Sequence, residues 1–403
     1  MKVIVVGGGP SGLYFSLLMK KRFADADVHV FEQNPRDATY GFGIVLAERG
    51  LKRLEKADPA SFQAIMEASF MSRHRMIRHP DEQIFVEGGG YGGAISRLKL
   101  LEILEEHCVS AGVRISYESR IEFTSEMETA DLVVGADGVN SVVRRRREKE
   151  FGTTQWLLTN RLAWYGTTRH FAYPLLSFKK TEFGCFVAAG YGYTERMSTF
   201  VPECDAQTWT RSGMDRMDED ERRRFTETVF AEELGGAALI SNASVWRPLP
   251  VIRNREWSSD RYVLIGDALH SAHPTIGSGT RIAMEDSISL VEALILHPTS
   301  IPDALATFRR LREPGKQKLV DAAEKSFMWY EGFSDRLLAL EPVEFVFDFL
   351  TRTGRVDRSR LEAEYPRFMA RYGHRWSGNG LLTSSPARAI SASPGFDAAR
   401  AVQ

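Results

Sequence analysis

The stretch Val3-Ile4-Val5-Val6-Gly7-Gly8-Gly9-Pro10-Ser11-Gly12 begins almost at the first residue and decides the fold of the 403-residue chain. An apolar run leads into the spacing G-x-G-x-x-G. Gly7 permits a tight turn, Gly9 lets the backbone approach a pyrophosphate, and Gly12 lets the following helix pack closely on the strand. A helix that begins near Ser11 points its unpaired N–H groups at the phosphates. We therefore predict a dinucleotide site that includes Gly7, Gly9, Pro10, Ser11 and Gly12.

A carboxylate closes the next apolar run. Glu32 follows Val28-His29-Val30-Phe31 and lies 20 residues after Gly12, a position from which a carboxylate can bind both hydroxyls of an adenosine ribose. Gln33 is predicted to belong to the same site. The pattern predicts a β-α-β unit, with strands over 2–6 and 27–32 and a helix over about 11–22.

Composition excludes several classes of protein. Lys and Arg number 52 against 53 Asp and Glu, so no net field attracts nucleic acid or a membrane, and a small-molecule partner is expected. Three widely spaced cysteines indicate neither a disulfide framework nor a zinc site and favour a cytoplasmic location. No apolar stretch approaches the roughly 18 residues of a membrane span. The run Arg144–Arg147 is interpreted as the solvated end of a helix.

Changes in composition and hydrophobic periodicity divide the chain into seven segments. Between about 155 and 255, sheet-like runs with many aromatic residues interrupt the pattern typical of the nucleotide domain. We predict nucleotide-domain parts at 1–70, 96–154 and 256–300, substrate-domain parts at 71–95 and 155–255, carboxy-terminal helices at 301–376, and a disordered tail at 377–403. Helices are predicted at 218–234, 279–296, 302–333 and 343–373.

Two further motifs each deliver an aspartate from a strand into a turn. The first is Asp131-Leu132-Val133-Val134-Gly135-Ala136-Asp137-Gly138, and the second is Gly266-Asp267-Ala268-Leu269-His270-Ser271-Ala272-His273-Pro274, completed by Gly277-Ser278-Gly279-Thr280. In this order after G-x-G-x-x-G, the motifs resemble those of the class A flavoprotein aromatic hydroxylases, the para-hydroxybenzoate hydroxylase-like group. The resemblance covers residues 1 to about 375.

This resemblance implies an α/β fold: a Rossmann-like FAD-binding domain of the glutathione reductase type, an inserted β-sheet substrate domain and carboxy-terminal helices. It implies FAD in the glycine-rich site, with Asp267 at the ribityl and pyrophosphate region and Arg97 in contact with the cofactor. A helix opening at Gly279 would stabilise charge at the edge of the reduced flavin ring. The other cofactor residues that it implies are Asp137, Gly138, Gly266, Pro274, Gly277, Ser278 and Thr280, and Gly41-Phe42-Gly43 resembles the segment beside the mobile flavin.

A closer resemblance is to the branch that contains salicylyl-CoA 5-hydroxylase, anthraniloyl-CoA monooxygenases and the tryptophan hydroxylase of violacein biosynthesis. It rests on the stretches 160–167, 197–200 and 273–286, and the segment 341–352 most resembles the salicylyl-CoA enzymes. The chain departs from that branch in two places. Ala188-Ala189-Gly190-Tyr191 replaces Ala-His-Ala-Tyr, which removes an imidazole from the expected substrate side, and Pro274 replaces a phenylalanine.

The resemblance implies a monooxygenase that is reduced by NADH or NADPH and that hydroxylates a phenol or aniline with O2 through a flavin C4a-hydroperoxide. The pocket has to be dry, because water or an early proton would release hydrogen peroxide instead. The candidates for lining this pocket are Tyr165, Tyr191, Tyr193 and His273. No metal is expected to take part.

The expected substrate is a small aromatic, carried as an acyl-CoA such as salicylyl-CoA, which 5-hydroxylation converts to gentisyl-CoA. Cations for its phosphates are offered by Arg73-His74-Arg75 with Arg78-His79, or by Arg253 with Arg255. Two alternatives stay open: hydroxylation of a free metabolite such as tryptophan or anthranilate, and a non-catalytic flavin-binding protein. We expect a monomer or homodimer without nucleic-acid or membrane partners.

Overall fold

The structure of the chain is a computed structural model. It describes residues 1–38, 41–47, 51–88, 92–121, 125–271, 274, 277 and 279–377. The predicted tail therefore lies outside the described residues, apart from Ser377.

Strands form three sheets. In chain order the strands are β1 (Lys2–Val6), β2 (Asp27–Phe31), β3 (Gly43–Ala47), β4 (Phe70–Ser72), β5 (Arg75–Arg78), β6 (Gln83–Val86), β7 (Gly92–Ser96), β8 (Arg114–Ser116), β9 (Leu132–Gly135), β10 (Thr153–Leu162), β11 (Tyr165–Thr167), β12 (Leu175–Thr181), β13 (Gly184–Gly192), β14 (Ser198–Cys204), β15 (Leu239–Ile240), β16 (Arg247–Asn254), β17 (Ser258–Ser259) and β18 (Tyr262–Leu264).

Helices lie between these strands and dominate the last third of the described chain. They are α1 (Pro10–Arg22), α2 (Leu51–Ala57), α3 (Pro59–Glu67), α4 (Arg97–Ser110), α5 (Ser125–Glu128), α6 (Val142–Arg146), α7 (Glu148–Phe151), α8 (Ala206–Arg211), α9 (Glu219–Val229), α10 (Ala231–Leu234), α11 (Gly279–Leu296), α12 (Ile301–Glu331), α13 (Phe333–Ala339), α14 (Pro342–Thr351), α15 (Arg358–Glu364) and α16 (Pro366–Tyr372).

The first sheet carries the predicted nucleotide motifs. Its strand order in the described chain is β17-β18-β9-β1-β2-β8, and every pair is parallel except β17 with β18. The strands β1, β9 and β18 are almost wholly buried, as parallel strands covered by helices are. Because the carboxyl ends of parallel strands share one edge, the segments after β1, β2, β9 and β18 meet there, where α/β sheets bind ligands.

The second sheet is large and mostly antiparallel. Its order in the described chain is β15-β11-β14-β13-β12-β5-β6, with β10 paired to both β14 and β16. A small third sheet has the order β3-β7-β4. The segment predicted as 71–95 thus contributes to both of these sheets. The α/β fold class, with a Rossmann-like sheet, an inserted antiparallel sheet and carboxy-terminal helices, is confirmed.

The carboxy-terminal helices pack on one face of the large sheet. Residues of α12 to α16 share a buried cluster with Phe178 of β12 and Val187 of β13. The single helix predicted over 343–373 is wrong, since the structure has three helices there. Gly354 has a φ of 66°, and Pro366 starts a new helix because it lacks the N–H that a continuing helix would need.

Two other helix predictions need correction. The predicted helix over 218–234 is interrupted at Phe230, whose ring is fully buried. The interpretation of Arg144–Arg147 as a solvated helix end fails for Arg144, which is buried and donates hydrogen bonds to the carbonyl oxygens of Ala268 and Val139. Arg144 therefore connects the Asp137 turn to the Asp267 turn, while Arg145 and Arg146 are exposed.

Candidate functional site: a cofactor cradle and an adjoining aromatic cavity

The glycine-rich loop leaves open space where a pyrophosphate would lie. Gly7 has a φ of 104°, which favours glycine. A Cβ on Gly12 would overlap the carbonyl oxygen of Gly7, whereas a Cβ on Gly9 would meet no atom within 4 Å. Gly9 caps α1, with Pro10 as its first residue and Ser11 next to it. The loop is therefore tight where helix meets strand and open towards the cavity.

Glu32 lies beside this loop at the end of β2. One of its carboxylate oxygens accepts the N–H of Gly8 at 2.7 Å, and the other accepts the backbone and side-chain N–H groups of Asn34 at 2.9 and 2.7 Å. These bonds hold the carboxylate at the wall of the cavity, which Gln33 also lines. Both carboxylate oxygens are therefore held in a defined orientation.

The turn after β9 brings Asp137 and Gly138 to the same cavity. The Asp137 carboxylate accepts the N–H groups of Val142 and Val143, the first two residues of α6, at 2.6 and 3.4 Å. Its other oxygen is buried and has no hydrogen-bond partner among the described residues. Burial raises the pKa of Asp137, and the hydrogen bonds to the carboxylate only partly oppose this effect. An orphaned carboxylate oxygen in a cavity wall is a polar group that a bound ligand can satisfy.

Arg97 and Asp267 both line the cavity and lie close enough to interact electrostatically. Arg97 is the first residue of α4, and its backbone N–H donates to the carbonyl oxygen of Phe42 at 2.8 Å. Burial lowers the pKa of the Arg97 guanidinium, although the nearby carboxylates of Asp267 and Glu32 oppose that change. Asp267 itself is exposed to the cavity. One cation and two anions therefore lie near one another in the wall of the cavity.

Asp286 on α11 positions the turn that carries Asp267. It is fully buried and accepts the N–H of Gly266 at 3.1 Å, Nε of Arg312 at 2.7 Å and Nζ of Lys316 at 2.7 Å. Burial alone would raise the pKa of Asp286, but Lys316 and Arg312 outweigh it and hold the pKa below its usual range. Asp286 ends the sequence stretch 273–286, but the motif alone did not indicate a role for it. The signal was present, since a carboxylate in a buried helix needs partners.

The amino-terminal end of α11 forms the far wall of the cradle. Pro274, Gly277, Gly279 and Thr280 all line the cavity. Gly277 has a φ of 56°, and a Cβ there would lie 3.3 Å from a methyl group of Val45 on β3. Ser278 and His273, which were also predicted for the site, lie outside the described residues.

The residues described above as lining the cradle share one continuous cavity of about 1520 Å³. Sites for a single drug-sized ligand have volumes of roughly 300–1,000 Å³. The cavity therefore has room for a dinucleotide and a second ligand. The open position at Gly9, the oriented Glu32 and the orphaned oxygen of Asp137 together fit FAD.

Beyond the cradle, the cavity runs along the large sheet. On β13 the lining residues are Val187, Ala189, Tyr191 and, at the end of the strand, Gly192, and on β14 they are Val201 and Glu203. This alternation follows the pleat, in which every second side chain shares a face. The Tyr191 hydroxyl donates to the carbonyl oxygen of Gly43 at 3.0 Å, so it joins the sheet to the Gly41–Gly43 segment.

The other two tyrosines that were candidates for the pocket lie elsewhere. Tyr165 is 1% exposed and packs among apolar residues on the opposite side of the sheet. The Tyr193 ring lies against the backbone of Gly43, so tightly that a Cβ on this glycine would overlap it. Tyr165 therefore supports the core of the sheet and Tyr193 supports the Gly43 segment, and neither lines the cavity.

The predicted cation clusters separate clearly. Three of their residues line the cavity, namely Arg73, His74 and Arg75. Arg78 instead forms ion pairs with Glu232 and Glu233, and His79 is buried against Phe345. Arg253 lies over the ring of Trp156, and Arg255 pairs with Glu256 on the surface. Of these predicted residues, only Arg73, His74 and Arg75 are in a position to contact a ligand in the cavity.

Sequence reasoning missed a polar group of residues at the inner end of the cavity. Glu203, Tyr330 and Arg352 line it and are buried or nearly so. The Arg352 guanidinium lies 4.0 Å from the centroid of the Phe349 ring and donates to Ser326 at 3.0 Å. Burial lowers the pKa of Arg352 to about 10. No local motif marks these residues, because they come from β14, α12 and the end of α14.

Metal and membrane features are absent from the part of the chain that the structure describes. It contains no group of His, Cys, Asp and Glu side chains that could hold a metal ion. None of its helices has the length and apolar character needed to cross a bilayer. The three cysteines, Cys108, Cys185 and Cys204, are free and buried.

Comparison with known proteins agrees with this geometry. A family model described as an FAD binding domain matches residues 1–323. Salicyloyl-CoA 5-hydroxylase of a Streptomyces species is 33% identical over 392 residues, which cover 93% of this chain and 74% of that protein. The 3-hydroxy-4-methyl-anthranilyl-[aryl-carrier protein] 5-monooxygenase of Streptosporangium sibiricum is 31% identical over 365 residues, which cover 90% of this chain and 97% of that protein.

Among solved structures, 2-methyl-3-hydroxypyridine-5-carboxylic acid oxygenase superposes with a TM-score of 0.65 at 18% identity, over 90% of this chain and 95% of that chain. At this level of identity the likeness concerns the fold. It agrees with the arrangement of the two large sheets and the carboxy-terminal helices described above.

Proposed function

Because the chain belongs to the family of FAD-binding class A aromatic monooxygenases, we propose that it hydroxylates an aromatic acyl group carried as a CoA thioester, of which salicyloyl-CoA is the model. Enzymes of this family use FAD and NAD(P)H. The proposal for the ring position is the carbon para to the hydroxyl, which is position 5 of a salicyloyl group.

The residues of the cradle would hold FAD by its three parts. Glu32 would bind the ribose, the loop from Gly7 to Gly12 would bind the pyrophosphate, and Asp267 would bind the ribityl region. The start of α11 at Gly279 would lie beside the flavin ring, where its free N–H groups stabilise negative charge. FAD, when bound, supplies the activated oxygen, and the protein orients the substrate and excludes water.

The observation that carries the proposal is the shape and charge of the cavity beyond the cradle. Its wall on β13 and β14 is apolar at Val187, Ala189 and Val201, which suits an aromatic ring. The same cavity reaches the cluster Arg73–Arg75. A free aromatic acid would occupy only the ring slot, whereas an acyl-CoA would also place phosphates near cations.

Similarity supports the same carrier chemistry. The two relatives named above are, by their names, enzymes for an aromatic acyl group on CoA and on an aryl-carrier protein. A cytoplasmic location, where CoA thioesters are made, is part of the proposal and agrees with the free thiols.

A second candidate substrate is a free aromatic acid. Arg352 lies at the inner end of the cavity beside Tyr330, and a buried guanidinium is a good partner for a carboxylate. In this alternative the carboxylate of anthranilate or of tryptophan would point to Arg352, and the exposed Arg73 would stay in contact with solvent.

A comparison of flavin reduction rates tests the proposal. The holoenzyme is mixed anaerobically with NADH or NADPH in the presence of salicyloyl-CoA, anthraniloyl-CoA, salicylate or tryptophan. We expect the CoA thioesters to accelerate reduction far more than the free acids, and added salt to weaken this effect. Equal acceleration by salicylate and salicyloyl-CoA, without salt dependence, would favour the free acid.

A matched pair of variants assigns the cations. Arg75→Ala should raise KM for salicyloyl-CoA about 10-fold, the loss of one charge-assisted hydrogen bond. Arg255→Ala removes an arginine outside the cavity and should leave KM unchanged. Equal effects of the two substitutions would refute the role of Arg73–Arg75.

A further inference from the structure

Glu203 is a buried carboxyl group in the wall of the aromatic cavity. It lies on β14 and pairs across the sheet with Val187 on one side and with Leu162 on the other. Both neighbours are apolar, and the side chain is 4% exposed. Carboxyl groups are almost never buried without partners, so this position calls for an explanation.

Glu203 and Tyr191 lie on neighbouring strands, and the sheet register determines how far apart they are along the cavity wall. Tyr191 pairs with Thr199, Ala189 with Val201, and Val187 with Glu203. Strands rise about 3.3 Å per residue, so Thr199 and Glu203 are separated by about 13 Å along β14. An aromatic ring that lies over Ala189 and Val201 therefore has the Gly43 segment at one end and Glu203 at the other.

The hydrogen bonds of Glu203 determine where its proton would reside. Oε1 accepts Nδ2 of Asn160 at 2.8 Å, and the same amide also donates to the carbonyl oxygen of Tyr330. Since Asn160 can only donate through that nitrogen, Oε1 acts as an acceptor. A proton on this carboxyl group therefore belongs on Oε2, which is left to meet a ligand.

Burial and one neighbouring carboxylate favour the neutral form of Glu203. Burial raises the pKa of Glu203 to about 8; the hydrogen bond from Asn160 opposes this change and Glu331, on α12, adds to it. Glu331 is held against the strand, since it accepts the N–H groups of Thr159 and Asn160. Arg75 of β5 and Arg352 interact with Tyr330 of α12, which is also close to Glu203.

We propose that Glu203, as a neutral carboxylic acid, donates a hydrogen bond from Oε2 to the carbonyl oxygen next to the substrate's aromatic ring, and so sets which ring carbon faces the flavin. This inference rests on the proposed acyl substrate. It makes Glu203 the polar anchor on a wall where Ala189 supplies no hydrogen-bonding side chain.

The experiment compares the wild-type holoenzyme with Glu203→Gln and Glu203→Leu. Glutamine can keep the acceptor for Asn160 and donate an N–H into the cavity, whereas leucine removes both functions. The probes are salicyloyl-CoA and its thioether analogue S-(2-hydroxybenzyl)-CoA, which lacks the carbonyl oxygen. Binding to the oxidised enzyme is followed by the change in flavin absorbance between pH 6.5 and 9.5.

We expect salicyloyl-CoA to bind the wild type about 10-fold more weakly at pH 9.5 than at pH 7, because the proton on Oε2 is lost. Glu203→Gln should bind within about 3-fold of the wild type at pH 7 and show no such pH dependence. Glu203→Leu should bind about 10- to 100-fold more weakly at all pH values, the cost of a buried acceptor left unpaired. The thioether should bind all three proteins equally.

Each other result counts against the inference. Equal affinities of the wild type and Glu203→Leu for salicyloyl-CoA would overturn it, as would a Glu203→Gln variant as weak as Glu203→Leu. FAD content and thermal unfolding of each variant identify a folding defect. If Glu203→Leu is defective, the pH dependence of binding to the wild type and to Glu203→Gln still tests the inference. If neither CoA probe nor salicylate perturbs the flavin of the wild type, the proposed function itself fails, and the inference fails with it.

Discussion

The two ends of the cavity are built by different means. At the cofactor end, the contacts come from backbone groups and from side chains placed directly after strands of one parallel sheet, such as Gly9 and Glu32. At the substrate end, they come from side chains far apart in the chain, such as Glu203 on β14 and Arg352 after α14. A dinucleotide site can therefore be recognised from short motifs, whereas the substrate site depends on how separate elements pack.

The difference also concerns charge. Behind the cofactor end, Asp286 is buried but paired with Arg312 and Lys316. The substrate end holds a carboxyl group whose pKa is raised to about 8 by burial. We infer that the first end is organised for stability and the second for recognition, and the following predictions test that contrast from the largest expected effect to the smallest.

Asp286→Asn should have the largest effect, at the cofactor end. It leaves Lys316 buried without its counter-ion and Arg312 with Glu285 alone, and it should lower the free energy of unfolding by about 3–5 kcal/mol. Urea denaturation with FAD present measures this change. The matched control at the substrate end is Asp348→Asn, which removes a less buried ion pair with Arg336. This substitution should lower the free energy of unfolding by a smaller amount and leave FAD affinity unchanged.

A pair of glycine substitutions separates the fold of the loop from its ligand contact. Gly12→Ala forces the backbone at Gly7 to move and should destabilise the apoprotein by about 3 kcal/mol. Gly9→Ala meets no atom of the protein within 4 Å, so the apoprotein should keep its stability while FAD binds more weakly. Equal FAD affinity in Gly9→Ala and the wild type would place the pyrophosphate elsewhere.

Glu32→Ala tests the ribose contact. The substitution removes the acceptor for Gly8 and Asn34 and should weaken FAD binding by about 1.5–3 kcal/mol, the cost of charge-assisted hydrogen bonds. Calorimetric titration of the apoprotein with FAD measures it. If FAD affinity stays unchanged, the assignment of Glu32 is wrong.

Tyr191→Phe should have the smallest effect, at the junction of the two ends. It removes one hydrogen bond to Gly43, worth about 0.5–1.5 kcal/mol, and should increase peroxide released per NAD(P)H because the segment beside the flavin is held less firmly. Tyr165→Phe is the control, since its hydroxyl is buried without a hydrogen-bond partner in the described chain. If both variants release the same amount of peroxide per NAD(P)H, the Tyr191 contact has no role in excluding water.

The residues predicted for the cofactor site show how much of a binding site local sequence motifs can predict. Those within the described chain line one cavity or, as Gly12 and Gly266 do, shape its wall. Their positions follow from strand, turn and helix geometry within about ten residues. The role of Asp286 was not predicted, because its partners come from α12, about 30 residues away.

The predictions for the substrate side fared differently. Tyr191 lines the cavity, while Tyr165 packs in the core of the sheet. Both lie on strands rich in aromatic residues, and a sequence pattern does not tell which face of a strand is covered by helices. The register of β13 against β14 and the packing of α12 and α14 decided it.

The sequence by itself determined the α/β fold, the cofactor class and the cradle, because a nucleotide is bound by backbone geometry that few residue types permit, and these residues follow one another in the chain. Only the tertiary structure decided the substrate end: that Arg73–Arg75 face the cavity while Arg78 is paired with glutamates, and that Glu203 meets Asn160 under the carboxy-terminal helices. The physical reason is that burial, and the pKa and hydrogen bonds that depend on it, arise from contacts between elements that are distant in sequence.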